Sequence, residues 1–322
     1  MNILITSAGR RVSLLKAFKK ELIKNFPKGK VFAVDSSPEL APACHVADKS
    51  FEVPKLCDPS YMLRLLELCR ENEIRLVIPT IDTELVDLAR HSELFLENGV
   101  QIVISSTDFV KICRNKRSVH EFFNRKDIQV AQEYSKRDFE IPLFIKPLDG
   151  SGGSDTKAIL SEDQLLERQV LDSNLMFLEY YDLEDYKEFT CDLYYDKSGN
   201  LKCVVPRERL EVREGEVSKA VTRKNNLIDF ITERLGRIKG ARGCITLQLF
   251  KEKSGDEIIG IEINPRFGGG YPLSYLAGAN YPGWIIKEYL LNESLGDQFD
   301  CWEPDLLLLR YDNEIISRDF KD

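Results

Sequence analysis

The sequence is poor in the residues that build metal centres and nucleophile–base pairs. It has three histidines in 322 residues, and His45, His91 and His120 are far apart in the chain, so we assign them no role. None of the eight cysteines forms a C-x-x-C pair, the spacing typical of zinc and dithiol sites. We therefore expect no structural zinc and interpret the cysteines as reduced thiols.

Long apolar runs and an excess of basic residues are also missing. No run approaches the roughly 18 apolar residues that span a membrane, and the first apolar stretch is too short for a signal-peptide core. Acidic residues (53) outnumber basic ones (45), and the net charge is −8. This balance argues against a nucleic-acid surface, although a local basic pocket can still bind phosphates. We expect a cytoplasmic protein that acts on small molecules.

The first hundred residues alternate between strand patterns and helix patterns. The predicted strands are 2–6, 31–34, 76–78 and 102–104. Such alternation predicts βαβ units and a parallel sheet. The turn after the first strand, Ser7-Ala8-Gly9, has a single glycine, so the dinucleotide motif G-x-G-x-x-G is absent. We therefore exclude NAD binding by this region.

Three polar segments follow predicted strands of this sheet. They are Ser7–Arg11, Asp35–Ser37 and Pro79–Glu84. In open parallel sheets, ligands bind beyond the carboxyl ends of the strands. The segments fit a substrate pocket, and they fit equally well ordinary loop polars and helix caps.

The pattern changes near Ser106, where we place a domain boundary. Thr107 or Asp108 is a candidate cap for a basic amphipathic helix that follows it. The remaining chain has strand-like runs with hairpin turns, which is typical of an α+β region. The predicted strands are 143–146, 175–179, 188–195, 201–206, 244–250 and 257–264.

A lysine followed by a glycine-rich loop is the first candidate for chemistry. Lys146 lies near the end of a predicted strand, and the loop comprises Gly150, Ser151, Gly152, Gly153 and Ser154. Backbone N–H groups of such loops approach phosphate oxygens closely, and the lysine would add a positive charge. The motif is not a P-loop, because the lysine precedes the glycines. The alternative is a flexible hairpin.

A second candidate comprises Gln248, Glu262 and Asn264. Strand alternation places Glu262 and Asn264 on one face, and antiparallel pairing would bring Gln248 beside them. A carboxylate and two amide oxygens suit Mg²⁺, although a polar sheet face is the alternative. Arg266 follows at the strand's end, where a cation can stabilise a developing acyl phosphate.

Two further segments are candidates for nucleotide and substrate contacts. Residues 177–182 predict a strand that runs into a hinge, where a purine ring could stack, and Glu188 could bind ribose hydroxyls. A basic stretch follows at 206–225, and its arginines alternate if it is extended. These arginines suit a phosphate or a carboxylate, or they form the charged edge of a solvated hairpin.

This constellation resembles the ATP-grasp superfamily, and within it one synthetase module of the carbamoyl phosphate synthase large subunit and the pyrrolysine-pathway ligase. The resemblance covers nearly the whole chain, including the segments ADKSFEVP and IPTIDTEL near the N-terminus. It implies an α/β and α+β fold. A parallel-sheet pre-ATP-grasp domain at 1–106 would precede a small lobe with a glycine-rich lid at 107–183 and a large lobe with the metal site at 184–322.

The resemblance also implies a role for each candidate residue. ATP and Mg²⁺ (or Mn²⁺) would be the cofactors. Lys116 and Lys146 would contact the nucleotide phosphates, Gly150–Ser154 would form the lid, and Arg266 would lie beside the γ-phosphate. The adenine hinge would be Glu179, Tyr180 and Tyr181, the ribose ligand Glu188, the metal ligands Gln248, Glu262 and Asn264, and the tentative substrate ligands Arg207, Arg209 and Arg223.

The implied activity is an ATP-dependent ligase that joins a carboxylate to an amine or ammonia through an acyl phosphate. The chain has one such module and no recognisable amidotransferase segment, so we do not expect it to make carbamoyl phosphate alone. Alternatives are an ATP-grasp phosphotransferase and a nucleotide-binding regulatory module without turnover. By analogy with the family, a homodimer is possible.

Overall fold

The computed structural model describes residues 1–149, 156–213, 215–318 and 320. The predicted lid, Gly150 to Ser154, lies outside the described residues. Three β-sheets of five, four and seven strands form the framework of the described chain. The mixture of a parallel sheet and antiparallel sheets confirms the predicted fold class.

The N-terminal sheet is parallel throughout, as the alternating pattern predicts. Its strand order is β3-β2-β1-β4-β5. The strands are β1 (Asn2–Ile5), β2 (Val31–Asp35), β3 (Lys49–Glu52), β4 (Ile74–Ile78) and β5 (Gln101–Ile102). One α-helix lies between each pair of successive strands: α1 (Val12–Asn25), α2 (Pro42–Val46), α3 (Tyr61–Glu71) and α4 (Leu85–Glu97). The edge strand β3 was not predicted, because its side chains are exposed or half-buried and lack a buried apolar run.

The basic helix predicted after Ser106 is two helices, α5 (Thr107–Arg114) and α6 (Lys116–Asn124). Neither Thr107 nor Asp108 caps the first helix. Ser106 does so, since its Oγ accepts a hydrogen bond from the N–H of Phe109 at 3.4 Å. Asn115 separates the helices and caps the second one. The short strand β6 (Gln129–Val130) follows.

The second sheet is small and antiparallel, with the order β7-β10-β8-β9. It comprises β7 (Glu133–Tyr134), β8 (Leu143–Pro147), β9 (Lys157–Ile159) and β10 (Leu175–Glu179), with α7 (Glu167–Leu171) before the last strand. Its own core is made of Leu143, Ile145, Ile159, Leu175 and Phe177.

The third sheet has the order β16-β13-β12-β11-β14-β15-β6 and is antiparallel except where β6 pairs with β15. Its further strands are β11 (Tyr186–Tyr195), β12 (Leu201–Arg213), β13 (Glu216–Thr222), β14 (Gly243–Glu252), β15 (Ile258–Asn264) and β16 (Leu307–Leu309). The helices are α8 (Leu227–Leu235), α9 (Tyr271–Ala277) and α10 (Tyr281–Leu290). The predicted hairpin turns lie between β11 and β12 and between β14 and β15.

Apolar packing connects the first sheet to the third. Ile3 and Phe18 share one core with Tyr194, Tyr281 and Trp284.

Each of the three predicted domain ranges, 1–106, 107–183 and 184–322, holds one sheet. However, α5, α6 and β6 of the middle range pack against the third sheet. The boundaries at 106 and 183 stay a proposal.

No helix in the described ranges is both long enough and apolar enough to cross a membrane.

A buried ion pair fastens the centre of the third sheet. Asp192 of β11 accepts hydrogen bonds from Nε of Arg207 on β12 at 2.8 Å and from its Nη2 at 3.1 Å. Ser274 of α9 donates to the same carboxylate at 2.6 Å. Both charged side chains are at most 1% exposed. Removing one partner of such a pair leaves an uncompensated buried charge, which is strongly destabilising.

We expect Asp192→Asn to lower the free energy of unfolding by about 3–5 kcal/mol, because the charge of Arg207 would stay buried without its counter-ion. Urea unfolding followed by circular dichroism measures this. Asp297→Asn is the control, since Asp297 pairs with Lys202 at an exposed position, where a solvent-screened pair contributes less than about 1 kcal/mol. Equal effects of the two substitutions would contradict this account of the sheet.

Candidate functional site

A cavity of about 740 Å³ lies where the three sheets meet. The loops of the first sheet, the strands of the second and the inner face of the third all contribute to its wall. Among the residues that line it are Arg11, Asp82, Lys116, Lys146, Tyr180, Glu188, Arg209, Glu262 and Arg266. Most of the predicted site residues that the structure describes are thus brought to one place.

The three predicted metal ligands lie side by side on β14 and β15. Gln248 pairs in register with Glu262, and Thr246 pairs with Asn264. The side-chain amides of Gln248 and Asn264 both donate to Oε1 of Glu262, the latter at 2.8 Å. An amide that rotates by half a turn presents its oxygen instead of its nitrogen. One carboxylate and two amides therefore fit a hard cation such as Mg²⁺.

No group of three or more His, Cys, Asp or Glu side chains that could hold a metal exists in the described part of the chain. The cluster of Glu262 with two amides is the metal-binding candidate that the described residues offer.

Two lysine ammonium groups lie close to the carboxylate of Glu262. Lys146 of β8 is 5% exposed, and its Nζ donates to the carbonyl of Ile261 at 3.3 Å. Burial lowers the pKa of Lys146, the charge of Glu262 opposes this shift, the charge of Lys116 adds to it, and the resulting pKa is about 8. Burial also lowers the pKa of the half-buried Lys116. Two such cations beside one carboxylate favour an anionic ligand.

His120 also lines the cavity, although we assigned it no role from the sequence. It lies one helical turn after Lys116 on α6 and is buried. Burial lowers its pKa, the charge of Lys146 adds to this shift, and the resulting pKa of about 4 leaves the ring neutral at pH 7. The four-residue spacing from Lys116 on one helix face is the signal that could have identified it.

The predicted hinge forms an aromatic and aliphatic end of the cavity. The ring of Tyr181 stacks on Phe250 with centroids 5.9 Å apart, and its hydroxyl donates to Glu179 at 3.0 Å. Tyr180 and Leu178 line the same space. Such walls suit a planar heterocycle.

Glu188 and Arg209 connect this end to the metal-binding candidate. Arg209 Nη1 is 3.2 Å from the carboxylate of Glu188 and donates to Oε1 of Gln248 at 3.2 Å. Burial raises the pKa of Glu188, the positive charge of Arg209 lowers it, and the negative charge of Glu262 raises it. Glu188 is therefore held in place as part of a charged network.

Arg266 joins the third sheet to the first. Its Nη2 and Nε donate to Oδ2 of Asp82 at 2.6 and 3.2 Å. Asp82 begins a short helical turn after β4, in one of the polar segments that the sequence left open. A second such segment supplies Arg11, whose Nη2 donates to the carbonyl of Thr80 at 3.3 Å. The third, Asp35–Ser37, forms loop hydrogen bonds and supplies no side chain to the cavity wall.

The three tentative substrate arginines do not act together. Arg207 and Arg209 line the cavity, but Arg223 does not. Its guanidinium binds Glu208 at 2.9 Å and Asp305 at 2.5 Å. Glu208 lies between Arg207 and Arg209 on β12, so strand alternation directs it to the opposite face. The structure therefore places Arg223 away from the cavity wall, and its assignment to the substrate stays an untested prediction.

Comparison with known families matches two parts of the chain. Residues 3–103 match the family described as PylC-like, N-terminal domain. Residues 172–301 match the family described as ATP-grasp in the biosynthetic pathway with Ter operon. No curated protein sequence matches this chain.

Solved structures share its fold over most of its length. N5-carboxyaminoimidazole synthetase from Staphylococcus aureus, complexed with ADP, has 18% identity and a TM-score of 0.70 over 92% of this chain and 78% of that one. The biotin carboxylase domain of Hydrogenobacter thermophilus 2-oxoglutarate carboxylase has 14% identity and a TM-score of 0.70, over 95% of this chain and 73% of that one. L-amino acid ligase from Bacillus licheniformis has 15% identity and a TM-score of 0.67, over 90% of this chain and 74% of that one. At these identities the likeness shows a common fold.

We expect Lys146→Met to stabilise the protein while weakening nucleotide binding. The pKa of Lys146 is about 8 in the folded chain and 10.5 as the ordinary value, so its burial disfavours folding below pH 8. This penalty, on the order of 3 kcal/mol, is relieved as the pH rises from about 8 to 10.5, because the unfolded chain then binds more protons.

Unfolding free energies at pH 7 and pH 10, with ADP titrations at pH 7, test this. The variant should be more stable at pH 7, lack the rise in stability above pH 8, and bind ADP more weakly. Lys239→Met, at an exposed position, is the control. A loss of stability in Lys146→Met at pH 7 would show that the ammonium is compensated in the free protein.

Proposed function

We propose that this chain, which belongs to the ATP-grasp superfamily, is an ADP-forming ligase that joins a carboxylate to an amine or to ammonia. The family matches and the shared fold support an enzyme of this class. The observation that carries the proposal is the pair of lysines, buried Lys146 and half-buried Lys116, beside Glu262 in one cavity. A nucleotide with its metal ion would satisfy this arrangement of charge.

ATP would extend from the aromatic end of the cavity to the lysines. The wall of Tyr180 and Tyr181 suits adenine, and the adjacent Glu188 suits the ribose hydroxyls. Lys116 and Lys146 would contact the phosphates. The segment Gly150–Ser154 is proposed as the lid on sequence grounds. The presence of ADP in the Staphylococcus aureus structure and of MgADP in the Hydrogenobacter thermophilus structure supports this ligand.

Gln248, Glu262 and Asn264 would hold Mg²⁺, since the three side chains are adjacent and offer hard oxygen donors. The ion, when bound, neutralises negative charge on phosphate oxygens.

The proposed reaction needs little proton transfer in its first step. An ionised carboxylate attacks the γ-phosphorus of ATP and ADP leaves, which gives an acyl phosphate. The amine nitrogen then attacks the acyl carbon, phosphate leaves, and the amine loses a proton. Arg266 is positioned for this chemistry, because Asp82 holds two of its nitrogens and it follows the metal-binding strand. Its fixed positive charge would stabilise the developing negative charge.

A finer proposal is that the chemistry resembles that of one carbamoyl phosphate synthase module, with bicarbonate as the carboxylate and ammonia as the amine. Bicarbonate therefore belongs in any substrate panel, beside amino acids and other small carboxylates. The phosphotransferase alternative would form ADP without releasing phosphate, and the regulatory alternative would bind ATP without turnover that depends on an acid.

The direct test is phosphate release from ATP and Mg²⁺ across such a panel, with and without ammonia or a second amino acid. We expect release that requires a particular acid. Glu262→Gln should reduce this release by at least about 100-fold, because it removes the carboxylate from the proposed metal site. Glu233→Gln, at an exposed position, should retain wild-type rates.

Acid-dependent formation of ADP without free phosphate would favour the phosphotransferase. Wild-type rates in Glu262→Gln would contradict the proposed metal site.

A further inference from the structure

The end of the cavity opposite the aromatic wall is built around a loop of three glycines, Gly268–Gly270. Arg11 and Arg207 approach this loop from different sheets. A Cβ atom on Gly269 would lie 3.1 Å from Oε1 of Glu216 and 3.2 Å from Nη1 of Arg11, and one on Gly270 would lie 2.2 Å from Nη1 of Arg207. Side chains at either position would therefore fill the space in front of the guanidinium groups.

Only two of the three guanidinium nitrogens of Arg207 are hydrogen-bonded to residues that the structure describes. Its Nε and Nη2 donate to Asp192, but Nη1 has no hydrogen-bond partner among the residues that the structure describes. The side chain is 1% exposed and lines the cavity. A buried donor without an acceptor is unfavourable, so this N–H suits a ligand oxygen.

Arg11 lacks a carboxylate partner of its own. It forms no ion pair within the described ranges, where its Nη2 donates to the carbonyl of Thr80. Asp82 is bound to Arg266. Glu216 binds Arg310 at 2.6 Å and Arg10 at 3.5 Å. Burial and the positive charge of Arg266 lower the pKa of Arg11, the negative charges of Glu216 and Asp82 raise it, and the resulting pKa is about 10.

Among the residues that the structure describes, no carboxylate at this end therefore forms an ion pair with Arg11. Asp192 balances Arg207 and Asp82 balances Arg266, while Glu216 is shared by Arg10 and Arg310. A group with a single negative charge and two oxygens would balance Arg11 and accept a hydrogen bond from Nη1 of Arg207. A carboxylate has these properties.

We infer that Arg11 and Nη1 of Arg207 bind a second carboxylate of the substrate, distinct from the carboxylate that is activated beside Arg266. This inference rests on the proposed ligase function. It names the substrate class as a diacid. This is a dicarboxylic acid, or an amino acid with two carboxyl groups that reacts through one of them while Arg11 and Arg207 hold the other.

The test compares acids matched in carbon number: succinate with butanoate, glutarate with pentanoate, and L-glutamate with L-glutamine. Each is assayed for phosphate release with ATP, Mg²⁺ and hydroxylamine. Hydroxylamine nitrogen attacks the acyl carbon of the intermediate, phosphate leaves, and a hydroxamate forms. We expect release with a diacid and at least about tenfold lower kcat/KM with its monoacid partner, which lacks the charge-assisted contacts.

Arg11→Gln should raise KM for that diacid about tenfold or more and change kcat less, and Arg11→Lys should recover part of the affinity. Arg10→Gln is the matched control, because Arg10 is the neighbouring residue and its side chain is 70% exposed. It should behave as wild type. If Arg11→Gln does not fold, the preference of the wild-type protein for a diacid over its matched monoacid still tests the subsite.

Thermal unfolding with MgADP and each acid separates this inference from the ligase proposal. Stabilisation by diacids that depends on Arg11, without phosphate release from any acid, would support the subsite and contradict the ligase. Phosphate release that is equal for monoacids and diacids, and unchanged in Arg11→Gln, would overturn the subsite and leave the ligase. The subsite would also be overturned if diacids neither stabilise the protein nor promote phosphate release more than their matched monoacids do. Inorganic phosphate that stabilises the protein as much as a diacid does, and also through Arg11, would overturn it as well.

Discussion

The buried ammonium of Lys146 is the constraint from which the organisation of the site follows. A lysine that is 5% exposed is costly unless negative charge lies nearby, and its lowered pKa reflects that cost. Glu262 offsets part of it, but the half-buried Lys116 adds a second positive charge near the same carboxylate. The free protein therefore holds positive charge that a nucleotide polyphosphate would neutralise. The stability lost at this position is converted into affinity when the anion binds.

The remaining charges are held by residues from different sheets, and this explains why the site lies where the sheets meet. Arg266 at the end of β15 binds Asp82 after β4, so the first and third sheets share an ion pair at the cavity. Asp192 fixes Arg207 from within the third sheet and leaves one guanidinium nitrogen for a ligand. The proposed nucleotide contacts come mainly from the second and third sheets. The proposed diacid contact adds the loop after β1, so the N-terminal sheet contributes to substrate selection.

Sequence patterns predicted the parts of this arrangement that depend on local periodicity. Strand alternation and a hairpin turn are sufficient to place Gln248 opposite Glu262, and the structure shows that register. Strand alternation could not predict where the side chain of Arg223 lies. Its position depends on ion pairs with Glu208 and Asp305, which lie in other segments of the chain. The role of His120 depends on how α6 packs against the third sheet. The break at Asn115 arises from side-chain capping inside a continuous apolar pattern. These features are fixed by tertiary contacts.

The most direct test of the central claim is a measurement of the pKa of Lys146 by NMR, with labelled lysine side chains and Lys146→Met for assignment. The account predicts a pKa near 8 in the free protein and a clear rise when MgADP binds, because the phosphates would stabilise the ammonium form. A pKa at the ordinary lysine value in the free protein, or one that MgADP leaves unchanged, would contradict the account.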